Sequence, residues 1–252
     1  WAGDATVVDG CLQMLWAGVY NGTQNLMQPR NRALAVYSLE GKPGSPEYLK
    51  LISVDHNFIV HDPIGYGSTL WEDEDGHTYL YSCYQFRKNA GDLLNTSSPV
   101  VARSRTHDLR SPWEYYVADA SGKFHWQNTY PTPEEARRSA ISSKSVATPW
   151  VFKDGDWYYM TAQGFVFARE VYIMRSRTPW GPFEDCCHLW SMPRELDKLG
   201  TRTYQHFYMP HLHQSLSRQG ELVFSKDGDA VWQCLNCGHI MVGKKAPEIC
   251  PT

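Results

Sequence analysis

The chain repeats one pattern at four places: an apolar segment, a turn that contains glycine, and a segment rich in aromatic residues. The turns are Asp9-Gly10, Asp75-Gly76, Asp154-Gly155 and Gln219-Gly220. Asp-Gly pairs adopt the positive φ angles that tight hairpin turns need, and alternating aromatic residues suit strands that pack on one face. Each occurrence therefore predicts a β-hairpin. Successive turn glycines are 66, 79 and 65 residues apart, which is enough for a four-stranded sheet with its loops.

A second repeated phrase follows two of the hairpins at a similar offset. Residues 100–106 (VVARSRT) precede the turn S-P-W-E at 111–114, and residues 171–178 (VYIMRSRT) precede W-G-P-F-E at 180–184. Residues 33–38 are an earlier, looser copy. Repeats of this size, each built from short strands, are typical of propeller blades. A β-sandwich with coincidental hairpins is the alternative that these residues leave open.

The composition agrees with a chain of many short strands. Ten Trp, 15 Tyr and nine Phe stand among 19 Gly and 15 Pro, which favours strands joined by turns. Helix is predicted only at residues 133–139, after a proline start, and at residues 192–199. The net charge of −3 offers no basic field to a phosphate backbone, so a nucleic-acid partner is disfavoured. No stretch approaches the roughly 18 consecutive apolar residues of a membrane span, so no membrane partner is predicted.

Taken in order, these phrases resemble a known family. A D-G hairpin followed by Y-Y or Y-L, a strand ending in R-S and a G-P-F or S-P-W turn are similar to the five-bladed β-propeller glycoside hydrolases of the arabinanase and xylosidase type and their uncharacterised relatives. The resemblance covers residues 1–225, which we interpret as one domain. It implies an all-β propeller that acts on a plant-type or microbial polysaccharide. Four repeats are visible, one fewer than the blades of that family.

The resemblance also implies a set of carboxylates at the mouth of the central channel. In an inverting enzyme the base and the acid stand about 6.5 to 9.5 Å apart, which leaves room for the attacking water. Asp4, just before the first hairpin, corresponds to the base. Asp62, in the phrase V-H-D-P, corresponds to the residue that modulates the pKa of the acid. Either aspartate could equally be a turn or cap residue.

The acid is the part of the family pattern that this sequence lacks. In the family a glutamate shortly precedes the third hairpin in an E-G-P phrase, whereas here Ala147 stands at that place, followed by Thr148 and Pro149. Glu170, at the start of the next strand, is the predicted replacement, and a surface ion pair with Arg169 is the alternative. Loss of the acid would remove a factor of about 10² to 10⁴ in rate. A sugar-binding propeller without activity is therefore the second hypothesis.

Three histidines lie close together in the phrase Y-Q-H-F-Y-M-P-H-L-H, namely His206, His211 and His213. If the segment is a strand, His211 and His213 share a face, because side chains alternate with period two. We predict that the three histidines bind sugar hydroxyls at the channel, with a structural role as the alternative. A metal site is disfavoured because no carboxylate cluster accompanies them.

Residues 226–252 carry a different signal and form the second predicted domain. Cys234 and Cys237 make a C-x2-C motif, and Cys250 follows after twelve residues in a C-P pair. Thiolates at such spacing bind iron or zinc tetrahedrally. The segment resembles the rubredoxin-like C-terminal module of rubrerythrins, and the resemblance implies a partial iron or zinc site whose fourth ligand would stand at position 253, just after Thr252. Free or disulfide-linked thiols are the alternative.

The sequence leaves three classes of function. They are a carbohydrate-active propeller enzyme, a sugar-binding propeller, and a rubrerythrin-like iron protein for electron transfer or peroxide handling. The last accounts only for the tail, because residues 1–225 predict no long helices bearing Glu-x-x-His pairs. A propeller of the first two classes would be extracellular or periplasmic, whereas a rubrerythrin-like protein would be cytoplasmic. The oligomeric state is not predicted.

Overall fold

The structure is a computed structural model, and it describes residues 2–20, 28–86, 96–164, 168–191, 211–213, 221–226, 229–234 and 240–242. These residues form four antiparallel sheets, each made from a continuous part of the chain, which we call blades 1 to 4. The strands are β1 (Ala2–Val8), β2 (Cys11–Tyr20), β3 (Gln28–Ser38) and β4 (Leu51–Ile59) in blade 1; β5 (Thr69–Glu72), β6 (Thr78–Phe86), β7 (Thr96–Ser104), β8 (Trp113–Ala118) and β9 (Phe124–Gln127) in blade 2; β10 (Ala147–Asp154), β11 (Trp157–Gln163), β12 (Glu170–Ser176) and β13 (Glu184–Ser191) in blade 3; and β14 (His211–Leu212), β15 (Glu221–Lys226), β16 (Asp229–Cys234) and β17 (Ile240–Val242) in blade 4.

The predicted hairpins open the first three blades. Asp9 and Gly10 alone join β1 to β2, with φ angles of 49° and 74°, and a type I′ turn requires positive φ at both positions. Residues 73–77 join β5 to β6, and Gly76 there has φ 87°. The third turn consists of residues 155–156, one position later than predicted. The fourth predicted turn, at Gly220, lies outside the described residues.

A serine ends the third strand of each of the first three blades, which explains the second repeated phrase. Ser38, Ser104 and Ser176 close β3, β7 and β12. The hydroxyls of Ser38 and Ser176 accept hydrogen bonds from the backbone N–H two residues later, at 3.0 and 3.1 Å. Ser104 instead donates to the carbonyl oxygen of Asp108 at 2.8 Å. In each blade the serine thus stabilises the turn that leaves the third strand by a local side-chain to backbone bond.

The helix predicted at residues 133–139 is confirmed as α1 (Pro133–Arg138). A capping box starts it: the Thr132 hydroxyl accepts from the backbone N–H of Glu135, and the Glu135 carboxylate accepts from the backbone N–H of Thr132 at 2.8 Å. Ala136, the buried residue of the helix, packs into the cluster between blades 1 and 2. The second predicted helix, at residues 192–199, lies outside the described residues.

Neighbouring blades are joined by buried apolar side chains. The representative pairs are Leu15 with Leu80 in the cluster between blades 1 and 2, Tyr81 with Met160 between blades 2 and 3, and Phe152 with Leu212 between blades 3 and 4. Among the first strands, β5 contacts both β1 and β10. Thr69 on β5 donates its hydroxyl to the carbonyl oxygen of Pro149 on β10 at 2.7 Å. Successive four- and five-stranded antiparallel sheets that contact one another through their first strands are the arrangement of propeller blades, and the predicted all-β propeller is confirmed.

Blade 4 crosses the predicted boundary between residues 225 and 226. β15 pairs with β16, and β16 pairs with β17, so strands on both sides of the boundary share one sheet. The division into domains 1–225 and 226–252 stays a prediction. Within the described ranges, no helix has the length and apolar character that crossing a membrane would require.

Candidate active site

Asp4 lies on β1, the innermost strand of blade 1, and its carboxylate joins this blade to the next. One carboxylate oxygen accepts from the backbone N–H of Ala5 at 2.9 Å, and the other accepts from the backbone N–H of Leu70 on β5 at 2.8 Å. Burial raises the pKa of the Asp4 carboxyl above its ordinary value of 3.8, and the nearby Glu72 carboxylate adds to this rise, although both backbone donors oppose it. Asp4 is therefore a half-buried carboxyl with a fixed position and an increased proton affinity.

Two glycines allow the close approach that places Asp4. The backbone N–H of Asp4 donates to the carbonyl oxygen of Gly67 at 3.2 Å. A Cβ atom on Gly3 would lie 2.7 Å from that same oxygen, so a side chain there would separate the strands. Gly67 itself has φ +81°, and its Cβ would lie 2.2 Å from the side chain of Leu15. The backbones of blades 1 and 2 thus touch directly beside the carboxyl.

Asp62 lies in the segment before β5 and is fully buried between blades 1 and 2. One of its oxygens accepts from the guanidinium Nε of Arg32 on β3 at 2.9 Å. The other accepts from the backbone N–H of Gly65 at 2.8 Å and from the Tyr130 hydroxyl at 2.5 Å. All its contacts are with protein donors, so Asp62 would act on a bound sugar only through other groups. Its role as pKa modulator stays a prediction.

The start of β10 is the place where the family resemblance expects the acid. Ala147 is buried there, at 1% exposure, and pairs with Gln163 on β11. Thr148 follows with φ 50°, a value that is rare for a β-branched residue and that the glycine of an E-G-P phrase adopts readily. The thiol of Cys83 donates to the carbonyl oxygen of Val146 at 3.2 Å, and burial raises its pKa to about 12. The groups at this position are therefore neutral.

Glu170, the predicted replacement acid, is the first residue of β12. Because the strand order of blade 3 is β10-β11-β12-β13, two strand spacings separate Glu170 from the innermost strand. Its backbone pairs with Ser191 on β13, and its carbonyl oxygen accepts from the N–H of Gly164 at 2.9 Å. These hydrogen bonds fix the position of the Glu170 backbone. The role of Glu170 as the acid stays a prediction.

The three histidines are only partly within the described residues. His206 lies outside them. His211 begins β14 opposite Ser225, and the backbone N–H of His213 donates to the carbonyl oxygen of Val223 at 2.7 Å. His213 is half-buried. Sugar binding by these residues stays a prediction.

Of the three cysteines of the tail, the structure describes only the backbone of Cys234. Cys234 ends β16 opposite Glu221, and Cys237 and Cys250 lie outside the described residues. Among the residues that the structure does describe, no group of three or more His, Cys, Asp or Glu side chains is placed to hold a metal ion. Metal binding by the tail stays a prediction.

Sequence reasoning missed two charged residues that the structure places beside the predicted aspartates. Arg32 is the ion-pair partner of Asp62. Glu72 accepts a hydrogen bond from the hydroxyl of Thr6, which lies two residues after Asp4 on β1. The sequence did carry a signal for Arg32, because in β3 it lies two residues before the buried Leu34 and therefore on the same face of the strand. A charged residue in such a position requires a buried partner.

Four antiparallel blades, each built from one continuous segment, of which the first three are in contact through their first strands, place the protein in the β-propeller class. Over residues 1–236 the chain matches the model of the family described as "Domain of unknown function (DUF5005)", and it belongs to that family. Residues 232–252 match the model of the "Rubrerythrin, rubredoxin-like domain". The predicted resemblance of the tail is therefore confirmed, and that of the propeller is confirmed by the solved structures described next.

Three solved structures show the same architecture. A "putative hydrolase" from Bacteroides ovatus is 48% identical with a TM-score of 0.80, and the match covers 90% of this chain and 53% of that one. A thermostable family-43 glycoside hydrolase is 18% identical with a TM-score of 0.54, over 100% and 78% of the two chains. An alpha-L-arabinanase of Cellvibrio cellulosa, in complex with arabinohexaose, is 12% identical with a TM-score of 0.50, over 94% and 71%. The chain spans about half the length of the Bacteroides protein.

One curated relative matches the tail. It is the rubrerythrin of Porphyromonas gingivalis, which is 48% identical over 29 residues, or 12% of this chain and 14% of that protein. The likeness is confined to the cysteine-bearing segment. It supports the predicted similarity of the tail to that segment of rubrerythrin. Because it covers 14% of the rubrerythrin, it does not extend to the activity of that protein.

Proposed function

We propose that the chain is a carbohydrate-active propeller that hydrolyses glycosidic bonds, with Asp4 as its reactive carboxylate. The position of Asp4 carries the proposal. The residue lies on an innermost strand, both its oxygens are held by backbone N–H groups, and burial raises its pKa. A fixed carboxylate of increased basicity suits the removal of a proton from water, because general-base catalysis improves as the pKa of the base approaches the working pH.

In the proposed reaction, ionised Asp4 takes a proton from a water molecule. The water oxygen then bonds to the anomeric carbon while the bond from that carbon to the leaving oxygen breaks, and the leaving oxygen takes a proton from the acid. Glu170 is the acid that we propose. Asp62 is a positioning residue in this scheme, because its carboxylate is enclosed by Arg32 and Tyr130. His206, His211 and His213 are proposed to bind sugar hydroxyls.

Similarity to other proteins supports the substrate class. The Bacteroides ovatus protein that is 48% identical is described as a hydrolase of inferred function. The Cellvibrio cellulosa arabinanase binds arabinohexaose, an oligosaccharide of a plant-type sugar, on the same fold. A carbohydrate is therefore the partner that we propose for this chain.

A sugar-binding propeller without hydrolysis is the second candidate, and one observation favours it. Ala147 is buried at the start of β10, and Thr148 takes the strained φ of the neighbouring position, so this place holds no carboxyl group. A propeller of this kind would keep the affinity for its sugar and lose protonation of the leaving group.

A screen of the parent chain separates these candidates. Arabino- and xylo-oligosaccharides and activated aryl glycosides are incubated with the protein, reducing ends are measured, and binding is measured by calorimetry. We expect aryl glycosides to be cleaved faster than the natural linkages, because an activated leaving group needs little protonation. Binding without cleavage would establish the second candidate, and neither binding nor cleavage on any sugar would overturn the carbohydrate proposal.

We propose a separate metal site at the tail, with Cys234, Cys237 and Cys250 as ligands of one iron or zinc ion. These three thiolates suit a soft tetrahedral metal, which when bound would supply redox chemistry as iron or folding energy as zinc. We expect the 252-residue chain to bind zinc weakly and a chain lengthened to a cysteine at position 253 to bind one ion per chain tightly, because a fourth thiolate completes the site.

Elemental analysis after dialysis measures this difference, and a chain lengthened equally but with serine at position 253 is the control. Stoichiometric metal that resists dialysis in the 252-residue chain would contradict the expectation. So would a cysteine-extended chain that binds no more metal than the serine control.

A further inference from the structure

A cleft of about 460 Å³ lies between blades 1 and 2, far out along both sheets. Phe58 of β4, the outermost strand of blade 1, forms one wall. Trp113 and Tyr115 of β8 and the preceding loop with Arg105 and Arg110 form the rest. Its volume falls within the range of about 300–1,000 Å³ that small-molecule sites occupy. The cleft is separate from Asp4, which lies on the innermost strand.

The floor of the cleft is aromatic. The rings of Phe58 and Trp113 meet edge to face, with centroids 5.5 Å apart and an interplanar angle of 71°. The indole N–H of Trp113 donates to the carbonyl oxygen of Leu109 at 2.8 Å. The polar atom of the indole is thereby occupied, so the part of these rings that reaches the cleft is carbon; Phe58 is half-buried and Trp113 is 8% exposed. Such a surface packs against the C–H face of a sugar or another flat apolar ring.

The rim of the cleft consists of hydrogen-bond donors that are already oriented. Arg105 donates from Nη2 to Glu114 at 3.2 Å and to Asn128 Oδ1 at 3.1 Å, and Arg110 donates from Nη2 to Asp108 at 2.6 Å. The two arginines are nevertheless 49% and 59% exposed. A guanidinium has five N–H groups, so each keeps donors for a ligand. The side-chain oxygen of Asn128 accepts the bond from Arg105, so that bond leaves the two N–H donors of the amide nitrogen unused.

Positive charge exceeds negative charge around Arg105. The carboxylate of Glu114 is shared, because Arg103 binds it at 2.7 Å while Arg105 binds it at 3.2 Å. One carboxylate therefore faces two guanidinium groups. A ligand that brings a carboxylate of its own would complete this arrangement with a charge-assisted pair.

We propose that this cleft binds an acidic sugar, a uronate unit of an oligosaccharide, with its ring on the aromatic floor and its carboxylate at Arg105 and Arg110. The choice of a sugar rests on the proposed function. The chemistry that the cleft itself recognises is a flat ring bearing a carboxylate, which an aromatic acid shares. The site would hold an acidic polysaccharide outside the channel while a neutral part of it reaches Asp4.

Calorimetric titration with digalacturonate, its neutral galactose counterpart and benzoate tests the proposal. We expect digalacturonate to bind at least about tenfold more tightly than either of the others, and Arg105→Gln and Arg110→Gln each to weaken it about tenfold through loss of a charge-assisted bond. Arg177→Gln, which changes an exposed arginine on blade 3, is the matched control and should bind as the parent does. Added salt should weaken the binding, since the cleft is open to solvent.

The variant Asp4→Asn separates this proposal from the proposed function. We expect it to bind digalacturonate like the parent, whatever it does to hydrolysis. Uronate binding that is lost in Asp4→Asn, or that survives both arginine substitutions, would place the ligand elsewhere and overturn the proposal. Equal affinity for the neutral sugar would show that charge does not contribute to binding. Tighter binding of benzoate would show that the cleft does not recognise a sugar. Either result would overturn the proposal.

Discussion

Replacing Asp62 with asparagine is expected to lower the free energy of unfolding by about 3–5 kcal/mol, the usual cost of leaving one member of a buried ion pair without its partner. The side chains of Arg32 and Asp62 are 2% and 0% exposed and lie 2.9 Å apart. Asparagine keeps the size of the side chain and removes its charge, so the Arg32 guanidinium would remain in the core without a counter-ion. Urea denaturation followed by tryptophan fluorescence measures the change.

Blade 3 provides a control ion pair with nearly the same distance between its charged groups but with both side chains exposed to solvent. Arg175 and Asp185 lie 2.8 Å apart, but their side chains are 44% and 63% exposed. Asp185→Asn should therefore cost no more than about 1 kcal/mol. The double variant Arg32→Met with Asp62→Leu should lose less stability than Asp62→Asn, because it removes both charges together. If Asp62→Asn and Asp185→Asn cost the same, the buried pair does not have the importance assigned to it.

Asp4→Asn is expected to lower turnover by about 10² to 10⁴-fold on any glycoside that the parent cleaves, with sugar affinity nearly unchanged, because the amide cannot accept a proton from water. The raised pKa of Asp4 has a visible consequence for the parent. The rate should increase with pH as Asp4 ionises, with a midpoint above 3.8, the ordinary value for aspartate. Steady-state kinetics over a range of pH measures both effects.

Asp9→Asn is the matched control for this experiment, since Asp9 is exposed in the turn of the same hairpin and asparagine tolerates its positive φ of 49°. It should keep the parental rate. Glu170→Gln in parallel tests the proposed acid and should impair poor leaving groups more than activated ones. A parental rate in Asp4→Asn would remove Asp4 from the mechanism, whereas a parental rate in Glu170→Gln would remove only the proposed acid.

The local features of the fold were predictable because their causes lie within a few residues of each other. The Asp9-Gly10 turn needs only the backbone freedom of those two residues. The capping box of α1 needs only Thr132 and Glu135. The repetition of the hairpin along the chain then indicated the propeller, which no single hairpin could do.

The contacts of the candidate site were less predictable because they join distant parts of the chain. Asp4 binds the backbone of Leu70, 66 residues away, and Asp62 binds Arg32, 30 residues away. The family resemblance assigned both aspartates to one type of site. It did not indicate that one would be half-exposed on an innermost strand and the other enclosed between sheets, since burial is decided by how the blades pack.

Asp4 also constrains how this protein could acquire a different chemistry. Its carboxylate is both the proposed reactive group and a link between two blades, through Ala5 on its own strand and Leu70 on the next. Exchange of Asp4 for a residue without a side-chain acceptor therefore loosens the junction at the same time as it alters reactivity, whereas asparagine keeps one acceptor oxygen. New specificities would arise more readily at positions that do not join the blades, such as the exposed arginines Arg105 and Arg110 at the rim of the cleft. Asp4, Gly3 and Gly67 would change only together, because all three are needed for the close contact between blades 1 and 2.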